Sequence, residues 1–272
     1  MFGKKYNLVV GLTTFDVNML HISVPALGKL GKKFLLIVHN DNPTVTVARH
    51  QIRKLGYRGD VRIINSAENV GTFMARMAIV SAALRDAPSA EWIVFCDDDD
   101  ILTDIDIPRV SPDNFAVVRN MAVVRHRVSD LLRVMRDATD ITIDDENVVL
   151  VRPHMGFVGT PIRISALAGL MSVLHGAIDD IRRIDDDMDY CPPYDAIMWT
   201  MLNTYVRFVN PDAVPIYMDM VGYVAIKLDT ATIKYGRAGM PARAARDHYA
   251  RAVARFDAVL RAALAAPVGH DK

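Results

Sequence analysis

Four consecutive carboxylates, Asp97, Asp98, Asp99 and Asp100, directly follow the apolar run Trp92-Ile93-Val94-Phe95-Cys96. Adjacent acids repel: at an effective dielectric near 20, two unit charges ~4 Å apart cost roughly 4 kcal/mol. A divalent cation relieves that cost. Carboxylates that leave the coordination shell incomplete suit Mg2+ or Mn2+, which take their remaining positions from phosphate oxygens. The competing reading is a solvated acidic turn, or a helix N-terminus favouring negative charge. The preceding run weighs against it. Its length and its β-branched and aromatic content predict a buried strand, and open α/β sheets bind ligands just outside the carboxyl ends of their strands.

The elements that must position these acids are legible upstream. Apolar runs predict strands over residues 6–12, 34–38 and 61–64, and helical spacing predicts helices over 17–30, 44–55 and 73–84. Pro25 kinks or delays the first helix, and Gly31 and Gly56 end the first two. The third follows the turn Asn69-Val70-Gly71 and carries almost no charge beyond Arg76, so it is expected to be buried. Strand and helix alternating in this way predict a parallel sheet with right-handed crossovers and helices on both faces.

Downstream the pattern loosens. Strands are expected over 115–124, 148–151, 206–209 and 214–218, and helices over 129–136, 164–174, from 194 and over 242–264. In the last helix Asp247 with Arg251 and Asp257 with Arg261 form i,i+4 pairs. Pro108 and Pro112 place the boundary between a first half, residues 1–104, and a second half, 105–272, of one continuous domain.

The 272 residues are 51% hydrophobic, enough for a large core, and 32 basic residues balance 32 acidic ones. Nothing global argues for nucleic acid, although a local basic patch remains compatible with neutrality. The two cysteines, Cys96 and Cys191, read as reduced thiols of a cytoplasmic protein. No apolar run approaches the ~20 residues of a membrane span. The N-terminal stretch, which lacks a small-residue cleavage site, reads as the first strand rather than a signal peptide.

The order of four pieces resembles a known family. Thr13-Thr14-Phe15-Asp16 follows strand one, His39-Asn40-Asp41 follows strand two, Asn69-Val70-Gly71 with Ala75-Arg76 follows strand three, and the acids follow strand four. Over residues 6–104 this is similar to family-2-type glycosyltransferases of the GT-A fold. The resemblance implies a Rossmann-like, mostly parallel sheet flanked by helices, with an acceptor-binding second half and a C-terminal helix. It implies a UDP- or GDP-sugar donor, with Thr13, Phe15 and Asp16 at the base, Asp41 at base or ribose, and Asn69 and Arg76 behind the pocket. Asp97 would touch ribose, Asp98 would join the nucleotide site, and Asp97 and Asp99 of the DXD motif would hold Mn2+ or Mg2+.

An inverting transfer also needs a base for the acceptor hydroxyl. The family takes it from an acid that opens a helix in the second half. Asp195, after Pro192-Pro193-Tyr194, is the first choice, with Asp189 and Asp187 as rivals. Asp195 could equally be a helix N-cap. Trp199, four residues on, could stack on a sugar. His154 and His248 are candidate metal ligands, though structural histidines are the commoner case. Lys227, Lys234, Tyr235 and Arg237 could form a lid over the diphosphate. The acceptor stays open among glycan, small molecule, protein and nucleic acid, as does a homo-oligomer. Competing functions are a nucleotidyltransferase, disfavoured because the loop after strand one lacks glycine and basic residues, and a non-catalytic nucleotide-binding module.

Overall fold

The structure, a computed structural model, describes residues 6–125, 148–154, 156–186, 194–227 and 242–266. In chain order its strands are β1 (Leu8–Thr14), β2 (Leu35–Asn40), β3 (Asp60–Asn65), β4 (Trp92–Asp97), β5 (Ile101–Leu102), β6 (Asn114–Arg125), β7 (Val148–Val151), β8 (Ile162–Arg163) and β9 (Val214–Lys227). Its helices are α1 (Leu20–Lys29), α2 (Arg49–Lys54), α3 (Gly71–Asp86), α4 (Ile164–Leu174), α5 (Ile178–Asp186), α6 (Tyr194–Val209) and α7 (Ala242–Ala265).

The first four strands are parallel in the order β3-β2-β1-β4. Every residue of β2 is buried, as expected of a strand covered on both faces. The register sets Thr13 beside both His39 and Asp97, so the carboxyl ends of β1, β2 and β4 form one rim. Helix α3 lies close over β1 because Gly11 has no side chain there: a Cβ would stand 2.8 Å from Ile79.

Beyond β4 the sheet continues β8-β6-β9-β5, with β7 paired to β6. Here the sheet becomes mixed, which completes the mostly parallel architecture expected. Strand β8 is antiparallel to both β4 and β6, β6 and β9 are parallel, and β5 and β7 are antiparallel to their partners.

Three sequence expectations change. The helix expected over 44–55 is shortened to α2. Asn42 holds the backbone N–H and hydroxyl of Thr44 with its side-chain oxygen, and Asn40 donates to the Val45 carbonyl, so residues 42–45 form a loop instead. Residues 206–209 are the end of α6 rather than a strand, because Val206 continues the buried stripe of Met198 and Leu202. The strand expected over 214–218 runs on to Lys227.

The run Ile164–Ile184 is 21 residues long and apolar enough for a membrane span by composition, contrary to expectation. Its apolar face, with Leu167, Leu170, Leu174 and Ile181, is buried within the protein. Helix α7 buries Ala252, Phe256 and Leu260, and the expected pair Asp257–Arg261 is present at 2.6 Å. The helix expected over 129–136 lies outside the described residues.

Candidate active site

The four acids leave β4 in a tight turn closed by the Asp100 N–H on the Asp97 carbonyl at 3.2 Å. They do not share one environment. Asp97 Oδ1 accepts from the Thr13 hydroxyl at 3.1 Å and from Arg76 at 2.9 Å. Asp98 Oδ2 accepts from the Thr14 hydroxyl at 2.5 Å. Desolvation, reinforced by Asp99, Asp97 and Asp16, pushes the Asp98 carboxyl up to about 8 against the pull of Thr14. Asp100 is buried, accepts from Tyr223 Oη and from the Ile226 N–H, both at 2.7 Å, and titrates well above the usual carboxylate range because of that burial.

Helix α3 supplies the central cation. Arg76 is 2% exposed and lies in an otherwise apolar stretch. One guanidinium nitrogen donates to Asp97 and the other to Asp195 Oδ1, each at 2.9 Å. The group also lies over the Phe157 ring, 5.7 Å from its centroid, and Phe157 stacks on Phe95 of β4 at 4.9 Å. Asp195 opens α6 and brings the second half of the chain to the acids. Its carboxyl is raised: desolvation and the charge of Asp97 outweigh the opposing pull of Arg76 and His154. A raised, partly exposed carboxylate beside a fixed guanidinium is chemically suited to accept a proton.

The start of α3 is fixed by Asp41, which is buried and receives the N–H groups of Val70 and Gly71 at 2.8 and 2.9 Å. Gly71 stands at φ 76°, a left-handed conformation that turns its N–H toward Asp41 and favours glycine. Asn69 Oδ1 accepts from the same N–H at 3.1 Å. Asp41 therefore ties β2 to α3 with both oxygens. At the rim, Phe15 is 54% exposed, a ring available for stacking, and Asp16 is exposed and caps the following turn through Asn18.

Other candidates fall elsewhere. Trp199 is buried, 6.0 Å from Phe115, and lines a cavity with Asn203 and Arg261 that none of the four acids lines. The His154 Nε2 lies 3.1 Å from the Val158 carbonyl, and the imidazole is lowered by burial. Asp187, Asp189, Cys191, Lys234, Tyr235, Arg237 and the side chains of Lys227 and His248 lie outside the described residues. Sequence reasoning missed the partners that reach the acids from the second half, above all Tyr223. The only signal was that a Tyr inside the apolar strand needs a partner for its hydroxyl.

Among the described residues, no three His, Cys, Asp or Glu side chains converge as a self-sufficient metal site. The donor set nonetheless fits a cation shared with a ligand. It consists of hard carboxylate oxygens on four consecutive residues of one turn. Mg2+ characteristically takes one or two carboxylates plus substrate phosphates.

The carboxyl rim of the sheet thus gathers the acids, and Arg76 joins them to Asp195. Residues 21–112 match the family model for glycosyl transferase family 2. Over that stretch, about a third of its length, the chain is similar to family-2 glycosyltransferases. Among solved structures it is similar to the mannosyltransferase PcManGT from Pyrobaculum calidifontis, in complex with GDP-Man and Mn2+, at 13% identity and a TM-score of 0.44, covering 95% of this chain and 69% of that one. It is also similar to the glycosyltransferase GlyE of Streptococcus pneumoniae TIGR4, at 10% identity and a TM-score of 0.37, covering 80% of this chain and 46% of that one. No curated protein sequence matches.

Proposed function

We propose that the protein transfers a sugar from a UDP- or GDP-sugar to an acceptor hydroxyl, with inversion, in a cation-dependent reaction in the cytoplasm. The observation that carries this reading is Arg76, which holds Asp97 of the acidic turn and Asp195 of α6 on one guanidinium. That bridge sets a carboxylate suited to an acceptor beside acids suited to a donor.

In the proposed reaction the base stacks at Phe15 near Asp16, and the ribose lies near Asp97. Asp97 and Asp99 would hold Mn2+ or Mg2+, which neutralises charge on the departing nucleoside diphosphate. Asp195 takes the proton of the acceptor hydroxyl. The acceptor oxygen forms its bond to the anomeric carbon from the face opposite the leaving group, the bond from that carbon to the phosphate oxygen breaks, and the electron pair leaves with the diphosphate. Arg76 keeps Asp195 oriented and pulls its carboxyl toward the charged form, against the desolvation that raises it.

The test is a thermal-shift series of UDP, GDP and their sugar conjugates, with and without Mn2+ or Mg2+, on wild type and Asp99→Ala. A ligand that binds the native state raises its melting temperature. The expected result is a cation-dependent rise with one nucleotide class that Asp99→Ala loses. Equal shifts in both proteins, or no shift with any nucleotide, would overturn the reading.

A further inference from the structure

One hydroxyl touches both ends of the acidic turn. Tyr223 Oη accepts the N–H of Asp97 at 3.3 Å and donates to Asp100 Oδ2 at 2.7 Å. Asp100 is held again by the Ile226 N–H, also from β9. The acids belong to the first half of the chain, and the hydroxyl that spans their turn comes from 123 residues further on.

The Tyr223 ring is itself fixed. It is 1% exposed. Residue 223 is in register with Leu102 on β5, immediately beyond the turn. His154 lies parallel to the ring at 5°, with centroids 6.5 Å apart. Gly159 presses on the ring side: at φ 72° it is left-handed, and a Cβ there would stand 2.5 Å from the Tyr223 Cβ. The Gly159 N–H donates at 2.8 Å to the carbonyl of Phe95, two residues before the first acid. The same glycine thus ties β4 and leaves room for the tyrosine. Asp97 is fixed at two points, its backbone by Tyr223 and its carboxylate by Arg76.

We propose that Tyr223 is a positioning residue that sets the geometry of the Asp97–Asp100 turn for its cation and donor diphosphate. This rests on reading that turn as the donor site. Tyr223 touches neither ligand in this scheme and acts through Asp97 and Asp100. A tie across the turn preserves the spacing that a small cation with strict geometry demands.

The experiment compares wild type with Tyr223→Phe, which keeps the ring and removes only the hydroxyl. Amide hydrogen exchange at Asp97 is read without any ligand, and nucleoside diphosphate affinity is read by calorimetry with and without Mn2+. Exchange at Asp97 should quicken by about tenfold, the loss of one hydrogen bond. Affinity in Mn2+ should fall roughly 10–100-fold, as for other groups that orient metal ligands, while affinity without Mn2+ changes much less. Gly159→Ala, which crowds the ring, should shift both readouts the same way. Unchanged exchange together with unchanged Mn2+-dependent affinity in Tyr223→Phe overturns the proposal. If wild type binds nucleotide with no cation dependence, the cation part of the function proposed above fails by itself. The exchange readout then still decides whether Tyr223 ties the turn.

Discussion

Replacing Arg76 with Met removes one charge and orphans two. The side chain is 2% exposed, and its two ion pairs are each 2.9 Å long. Removing one partner of a buried pair typically costs about 3–5 kcal/mol, because the other charge is left uncompensated. Solvent reaches the two carboxylates, which are 34% and 36% exposed, so the lower end near 3 kcal/mol applies. Unfolding entropy is about 2.1 cal/mol/K per residue, or roughly 0.57 kcal/mol/K for a chain of this length, so the melting temperature should fall by about 5 °C. The assay is calorimetric melting of Arg76→Met, Asp195→Asn and the double variant. In the double variant one orphaned charge has become a neutral amide, so it should lose less than the sum of the two singles, by about 1 kcal/mol or more. A melting temperature for Arg76→Met within about 1 °C of wild type, or strict additivity, would refute the account of Arg76 as the bridge. Without Arg76 the Asp195 carboxyl should also rise further, since the guanidinium is what pulls it down.

Asp195→Asn keeps shape and an acceptor oxygen for Arg76 but removes the basic lone pair. Transfer should fall by about 10²–10⁴-fold while donor affinity holds; full activity here, with collapse in Asp189→Asn, would move the base. The Asp98 carboxyl stands at about 8 in the fold, against 3.8 ordinarily. Between those values the folded protein keeps a proton that the unfolded chain releases, so stability should fall as pH rises from about 4 to about 8. Denaturant midpoints in chelator at pH 5, 6.5 and 8 should show that fall, and Asp98→Asn should flatten it; an unchanged slope in the variant would place the titration elsewhere.

The parallel half of the fold was legible because strands buried on both faces are continuous apolar runs, and Gly31 and Gly56 do end their helices with positive φ. The lapses have local causes. Asn42 diverted the start of α2, and a short apolar stretch such as 206–209 has no period long enough to tell strand from helix. In the site, the acids were visible because they are adjacent in sequence. Arg76 and Asp195 were each singled out, but their ion pair spans 119 residues, and no spacing encodes it. Tyr223 offered only a hydroxyl inside an apolar strand, whose partner is set when the sheet closes.

Strand β8 has two residues, yet it is a seam of the molecule: among the described strands it is the one that joins β4 to β6, through the register Trp92–Arg163 and Ile93–Ile162 and Ala116–Ile162. This bears on how the protein is made. During synthesis β1 to β4 can assemble as soon as they emerge, but the outer edge of β4, with buried Ile93, Val94 and Phe95, is paired only when residues 158–163 follow. For that interval the nascent chain carries an open apolar edge, the kind of template that pairs with other chains. The sheet that later carries the acids is thus, while incomplete, the part of the chain most in need of protection, and a fragment cut at residue 104 would keep that edge permanently.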